Sequence, residues 1–211
     1  MIDQEFKISS LELSHWMNAI RDIDNHVQRT RALDALWHGQ LVSKAWLVNQ
    51  LAQHVVSESN VYIFGGWIGL LGSMILQSNK QINKVRSIDL DPWCESIADN
   101  VNKNFEINDW KFKAITADMC TYNYQSDIYP DIVINTSSEH VTQAVYNEWY
   151  DRIPLGTLVV VQGNDYFECT EHIRCSTSLN EFKDQNLVNC DLYSGSLKTD
   201  MYTRYMSIWR K

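Results

Sequence analysis

From Val61 onward the chain alternates short apolar runs with amphipathic stretches, and this alternation constrains the fold more than any other feature. Val61–Phe64, Lys84–Asp89, Phe112–Thr116, Asp131–Ile134 and Thr157–Val161 read as strands. Between them lie helices. Trp67–Leu76 is apolar almost all round and should be buried. Pro92 opens a second helix at its first turn, with Trp93, Ile97 and Val101 on one stripe and Cys94 and Ala98 beside it. A third runs from about His140 to Arg152, and a shorter one lies near Leu179–Lys183. Two last strands are expected at Leu187–Tyr193 and Tyr202–Trp209. Parallel strands need a crossover of helical length, so the alternation implies a mostly parallel sheet. The last two strands lack such a crossover and should close the sheet as an antiparallel hairpin.

In sheets of this kind ligands bind beyond the carboxyl ends of the strands, so the polar residues there carry the information. The first strand ends in Gly65-Gly66-Trp67-Ile68-Gly69. Glycine permits a tight turn and close approach of backbone to ligand, and the helix that follows offers free N–H groups. A Gly-Gly turn alone is as well explained by structure. The second strand ends in Asp89-Leu90-Asp91-Pro92. Asp91 suits a helix N-cap before Pro92. Asp89, 24 positions after Gly65, suits a carboxylate that accepts both hydroxyls of a ribose. The third strand leads into Ala117-Asp118-Met119, where Asp118 is either an acceptor for an exocyclic amine or a turn residue.

In this order, these three sites resemble the class I S-adenosylmethionine-dependent methyltransferases over roughly residues 45 to 211. The segments that carry the resemblance are Val61–Gly69, Val85–Pro92 and Ile115–Met119, and Asp131–Asn135 fits the next motif of that family. The resemblance implies a Rossmann-like α/β fold: a mostly parallel seven-stranded sheet with an antiparallel terminal hairpin, plus an N-terminal helical extension. It implies S-adenosylmethionine as cofactor, held by Gly65, Gly66, Trp67, Gly69, Asp89, Leu90, Asp118, Met119 and Asn135. Two positions depart from the pattern. Ile63 stands where the family carries an acidic residue, and Trp67 replaces the middle glycine. Both bear on the methionine end of the cofactor, where Asn135 or Glu139 would have to substitute.

The chemistry is expected after the fourth and fifth strands, which read Asn135-Thr136-Ser137-Ser138-Glu139-His140 and Gln162-Gly163-Asn164-Asp165-Tyr166, with Glu171-His172 close behind. Asn135, Glu139 and His140 are the catalytic candidates, with Glu139 or His140 as proton acceptor. The structural alternative is that Ser138 and Glu139 cap the next helix. The family's Asn/Asp-Pro-Pro-aromatic motif for planar amines is matched only at Asn135. Glu139, His140, Asp165 and His172 are ligand types, but no fixed spacing ties them together, so no metal is expected. No Gly-x-Ser-x-Gly elbow occurs, which argues against a serine hydrolase.

Residues 1–58 read as a helical cap ahead of a 59–211 cofactor domain, the two forming one compact unit. Ser9-Ser10-Leu11-Glu12 offers a helix start, with Leu11, Trp16, Ile20 and Ile23 at helical spacing, and a second stretch from about Ser43 places Trp46, Leu47, Leu51 and Val55 on one face. Trp37–Gln40 and Ser43-Lys44 lie close enough to the core to reach the cofactor mouth. The net charge of -8 disfavours nucleic acid, so a small molecule or a protein is the expected acceptor. Five cysteines without a CxxC pair fit reduced thiols and a cytoplasmic location. The acidic start at residues 1–5 lacks the apolar stretch of a secretory signal, and the longest apolar run, broken by glycines, is too short to span a membrane. The leading expectation is a methyltransferase. The alternatives are an aminocarboxypropyl-transferring or cofactor-cleaving enzyme on the same fold, a non-catalytic binding module, and a nicotinamide oxidoreductase. The terminal hairpin argues against the last of these.

Overall fold

The structure is a computed structural model that describes residues 7–55, 57–106 and 110–211. The segment 1–5, with its acidic composition, lies outside the described residues. Three helices come first: α1 (Ser10–Arg21), α2 (His26–Asp34) and α3 (His38–Leu51). Then follow β1 (Ser59–Phe64), α4 (Leu70–Ser78), β2 (Ile82–Asp89), α5 (Pro92–Val101), β3 (Phe112–Thr116), β4 (Ile132–Asn135), α6 (Gln143–Arg152), β5 (Leu158–Asn164), α7 (Leu179–Gln185), β6 (Asp191–Lys198) and β7 (Thr203–Arg210).

The strands form one sheet in the order β3-β2-β1-β4-β5-β7-β6. The first five pair in parallel, and β7 runs antiparallel to both β5 and β6. The expected seven-stranded sheet and its terminal hairpin are therefore present. The chain leaves β1 toward β2 on one side and returns to β4 on the other, so the switch point opens between Phe64 and its partner Asn135.

Period-two alternation sorts the central strands between two cores. Val61 and Ile63 face one core, together with Trp16, Leu47, Met74 and Val101 from the helices. Tyr62 and Phe64 face the other, with Tyr146 and Trp149 of α6 and Phe182 of α7. Burial on both faces explains why these strands read as continuous apolar runs. Residues of α1 and α3 belong to the same buried cluster as the sheet. No described helix is long and apolar enough to cross a membrane.

Local chemistry sets the boundaries. Ser9 caps α1 by accepting the Glu12 N–H at 3.1 Å. Leu11 does not join the buried face as expected, and is 68% exposed. Glu12 turns inward instead: it accepts from the Ser73 hydroxyl at 2.8 Å and the Asn104 amide at 2.7 Å, while the Trp16 indole donates to Ser73 at 3.0 Å. A fully partnered carboxylate is tolerated there, and it shifts the packed stripe by one residue. Asp91 caps α5 through the Trp93 N–H, with Pro92 in the first turn, as expected. The expected helix start near His140 is displaced. Ser138–His140 form a separate 3-10 turn, and α6 starts at Gln143 under a Thr142 cap. The expected strand at Leu187–Tyr193 is also displaced, to Asp191–Lys198, because Leu187 ends α7 in a left-handed conformation.

Candidate functional site

The turn after β1 is built almost wholly from backbone. Gly65 and Gly66 both donate to the Ile88 carbonyl, at 2.9 and 3.3 Å, which folds the turn against β2. Gly65 has φ +65, and a Cβ there would overlap the Ser137 side chain. A Cβ on Gly66 would overlap the Ser87 hydroxyl. Gly69, at φ +77, starts α4 and sits close against Asn102, Phe112 and Ala98. Trp67 adopts φ 50, a left-handed conformation uncommon for a bulky residue. Its N–H is pinned by Asp89, whose Oδ2 accepts it at 2.8 Å, while Oδ1 accepts the Asp91 N–H at 3.0 Å. Asp89 is thus fixed at the rim of the glycine turn. An ionised carboxylate has about four lone-pair positions, so acceptor capacity remains. Leu90 beside it is 71% exposed.

The neighbouring strand ends flank this turn. Asn135 is buried; its Oδ1 accepts the Ser137 N–H at 3.0 Å, and its amide faces the Met119 sulfur at 4.0 Å. Ser137 in turn donates to the Gly65 carbonyl at 3.2 Å. Asp118 is exposed, and its Oδ1 accepts the Cys120 N–H at 2.8 Å, which makes it a turn residue with a solvent-facing carboxylate. Gly65–Gly69, Asp89, Asn135 and Met119 therefore converge on the switch point. Arg31 of α2 covers the neighbouring rim, where it pairs with Asp91 at 2.9 Å and lowers the pKa of that carboxyl.

A second, more heavily charged group lies at the ends of β4, β5 and β7. Glu139 is 2% exposed; its Oε1 pairs with Arg204, itself 4% exposed, and accepts from the Asn164 amide at 2.7 Å. Arg204 also donates to the Thr136 carbonyl at 2.8 Å. The Glu139 Oε2 is buried and has no hydrogen-bond partner among the described residues. The loop after β5 is tied to this turn: the N–H groups of Ile173 and Arg174 both donate to the Glu139 carbonyl, at 2.9 and 3.1 Å. Arg174 reaches the Ser138 carbonyl at 3.1 Å and stacks over Tyr146 at 3.9 Å. This tie brings His172 against His140, with ring centroids 4.7 Å apart in an edge-to-face arrangement.

The N-terminal helices complete this side. Gln162 of β5 donates to the Ser43 carbonyl at 3.0 Å and seats α3 over the sheet. Lys44 follows, bonded to Gln40 at 2.7 Å. Burial, reinforced by Arg204 and opposed by Glu139, holds the Lys44 pKa down to about 7. Burial also lowers the pKa of His172, with Glu139 opposing and His140 adding to the effect. An aromatic row borders the cluster: Trp37 lies 6.3 Å from Tyr202, Tyr202 stacks on Tyr166 at 5.7 Å, and Tyr166 meets His172 at 5.9 Å.

The structure thus brings Glu139, His140 and His172 together and leaves Asp165 apart, where its carboxylate accepts the Thr203 N–H at 2.6 Å. Sequence reasoning missed Arg204 and Tyr202, whereas Tyr166 lies in the segment expected after the fifth strand. One signal could have found the first: Arg204 is the one charged residue in the expected strand Tyr202–Trp209. A separate cavity of about 330 Å³, lined by His54, Tyr129 and Arg210 among others, lies at the opposite, amino-terminal edge of the parallel strands.

No protein-family model matches the sequence, and no curated protein matches it at the sequence level. Solved structures do match the fold. The N-methyltransferase NodS from Bradyrhizobium japonicum WM9, in complex with S-adenosyl-L-homocysteine, superposes with a TM-score of 0.66 at 10% identity, covering 93% of this chain and 98% of that one. The E81Q mutant of MtNAS in complex with S-adenosylmethionine gives 0.59 at 12% identity, covering 95% and 72%. TrmK of M. capricolum with S-adenosyl-homocysteine gives 0.55 at 13% identity, covering 76% and 66%. The fold is that of the class I methyltransferases.

Proposed function

We propose that this chain is an S-adenosylmethionine-dependent methyltransferase acting on a small-molecule or protein acceptor, with residues 1–58 serving as a cap over the cofactor domain 59–211. One observation carries the reading. A carboxylate, Asp89, is held by two backbone N–H groups at the rim of a glycine turn that leaves no room for side chains at Gly65 and Gly66. This is what a nucleoside needs at a switch point: an acceptor for the ribose and bare backbone beside the chain that follows. Leu90 supplies an exposed apolar face for a base, with Asp118 and Met119 on the strand end beyond.

Bound S-adenosylmethionine supplies a methyl group already activated by a sulfonium. The protein's share of the work is therefore positioning, and a proton acceptor where the nucleophile needs one. Asn135, Glu139 and His140 are the proposed catalytic residues. Glu139 Oε1 is engaged by Arg204 and Asn164, so a proton would go to Oε2, to exposed His140 or to Lys44, whose pKa of about 7 leaves much of it neutral at physiological pH. Calorimetry with S-adenosylmethionine and S-adenosylhomocysteine tests the reading, with micromolar binding expected. Absence of heat and of any thermal shift at millimolar ligand would overturn it.

One observation favours a second reading. Buried Ile63 offers no carboxylate to the methionine end, and Trp67 occupies the middle of the turn in a left-handed conformation. A changed hold on the methionine moiety suits transfer of its aminocarboxypropyl group, or cleavage of the cofactor. The products separate the two readings: S-adenosylhomocysteine marks methyl transfer and methylthioadenosine marks the other.

A further inference from the structure

We propose that Glu139, His140 and His172 form a binding site for a divalent transition-metal ion on the acceptor side of the cleft. Each residue offers one ligand atom, and the three atoms lie within 4.8 Å of one another. Among the described residues, two of the three side chains carry a buried atom with no well-formed hydrogen bond: Oε2 of Glu139 and Nδ1 of His172, whose ring makes at most a loose contact with the Tyr166 backbone. A buried polar atom without a partner costs about 1–3 kcal/mol, more for a charged group, and two residues of one cluster that each carry such an atom point to a shared ligand. A single cation satisfies both.

The donor set decides which cation fits. Two imidazoles and one carboxylate suit a borderline first-row ion such as Zn²⁺ or Co²⁺, and suit Mg²⁺ or Ca²⁺ poorly because those ions prefer oxygen. Zinc bonds of about 2.1 Å in tetrahedral geometry separate ligand atoms by roughly 3.4 Å, so the three must draw in by up to about 1.4 Å. Exposed His140 is free to make that movement. Glu139 is already anchored: Arg204 and Asn164 hold Oε1 and leave Oε2 uncommitted. His172 is held in place because the loop that carries it is bonded to the Glu139 carbonyl.

Three protein ligands leave a fourth position open, as in catalytic rather than structural zinc sites. Tyr166, in ring contact with both His172 and Tyr202, borders the cluster. If the methyltransferase reading holds, an acceptor oxygen or nitrogen would take the fourth position. The metal site itself does not depend on that reading.

The test uses the full chain stripped with chelator and titrated with Zn²⁺ by calorimetry, then with Co²⁺ by visible absorption. One equivalent should bind with the spectrum of a low-coordinate nitrogen–oxygen site, and His140→Ala and His172→Ala should each weaken binding at least tenfold. His26→Ala, on an exposed helix start, should change nothing. An unshifted affinity in both cleft variants would overturn the proposal, as would thiolate charge-transfer bands or the spectrum of the hydrated ion. Cofactor binding, followed by thermal shift in the same variants, reports separately on the methyltransferase reading.

Discussion

Removing Arg204 should expose how much the fold depends on its buried ion pair. Glu139 and Arg204 are 2% and 4% exposed, and the guanidinium bonds in addition to the Thr136 carbonyl at 2.8 Å. In Arg204→Met the Glu139 carboxylate stays buried and loses its direct ion-pair partner, keeping the Asn164 hydrogen bond at 2.7 Å and the more distant charge of Lys44 and Arg174. Breaking one side of such a pair costs about 3–5 kcal/mol, a large part of the total stability of roughly 5–15 kcal/mol expected for a domain. Glu139→Gln keeps an acceptor for Asn164 but strands the guanidinium, and should cost a similar amount. The double variant removes both charges, so its cost should fall short of the sum by about 2 kcal/mol or more. Urea unfolding measures this as a shift of midpoint at constant slope, with chelator present so that metal binding does not enter. If Arg204→Met costs less than about 1 kcal/mol and the two changes add to within about 0.5 kcal/mol, the reasoning fails: the pair is then solvated in solution and does not organise the turn.

Asp89→Ala should weaken cofactor binding by about 30- to 150-fold, the equivalent of roughly 2–3 kcal/mol for charged hydrogen bonds to a ribose. Asp91→Ala should instead cost about 1 kcal/mol of stability through its lost cap and leave binding intact; calorimetry and unfolding that showed the reverse would exchange the two roles. Lys44 has a folded pKa near 7 against an ordinary 10.5, so between those values the unfolded chain binds the extra proton and stability should climb as pH rises. Lys44→Met should lack that climb. Unfolding midpoints compared at neutral pH and about pH 9 check it, and parallel behaviour of the two proteins would sink the assignment.

What could be read from the sequence follows from where each element sits. The central strands are buried on both faces, so their apolar runs were plain, and β3 was expected at its observed bounds. β6 is paired on one side only and carries Leu192 and Gly195 among polar residues, so no run marked it and the expected strand fell several residues early. The Asp91 cap and the Pro92 start were legible because both signals are local. Leu11 was misplaced because Glu12, a charge, takes the buried position and finds its partners in Ser73 and Asn104, far along the chain. The same distance hid the ion pair: nothing local to Glu139 announces an arginine 65 positions away. Glu139 and His140 themselves were visible as polar residues just past an apolar strand. Their setting was not, because the turn that holds them is fixed by contacts from Ile173 and Arg174 rather than by its own cap.

These contrasts divide the cleft into two parts held by different means. On the proposed cofactor side, the glycine turn meets its surroundings through carbonyls and N–H groups, and few side chains are specified beyond Asp89, Asn135 and Ser137. Backbone presents the same donors and acceptors whatever the side chain, so that geometry survives wide divergence, as a TM-score of 0.66 at 10% identity illustrates. The charged group at the ends of β4, β5 and β7, the proposed acceptor side, is made of side chains from separate segments: Lys44, Glu139, Asn164, His172 and Arg204. A constellation of that kind is re-specified by single substitutions, and chemistry on a shared fold diverges at such positions. Substrate choice should therefore be sought in the Lys44–Glu139–Arg204 group and its aromatic border, and a change there should alter turnover while leaving affinity for the cofactor in place.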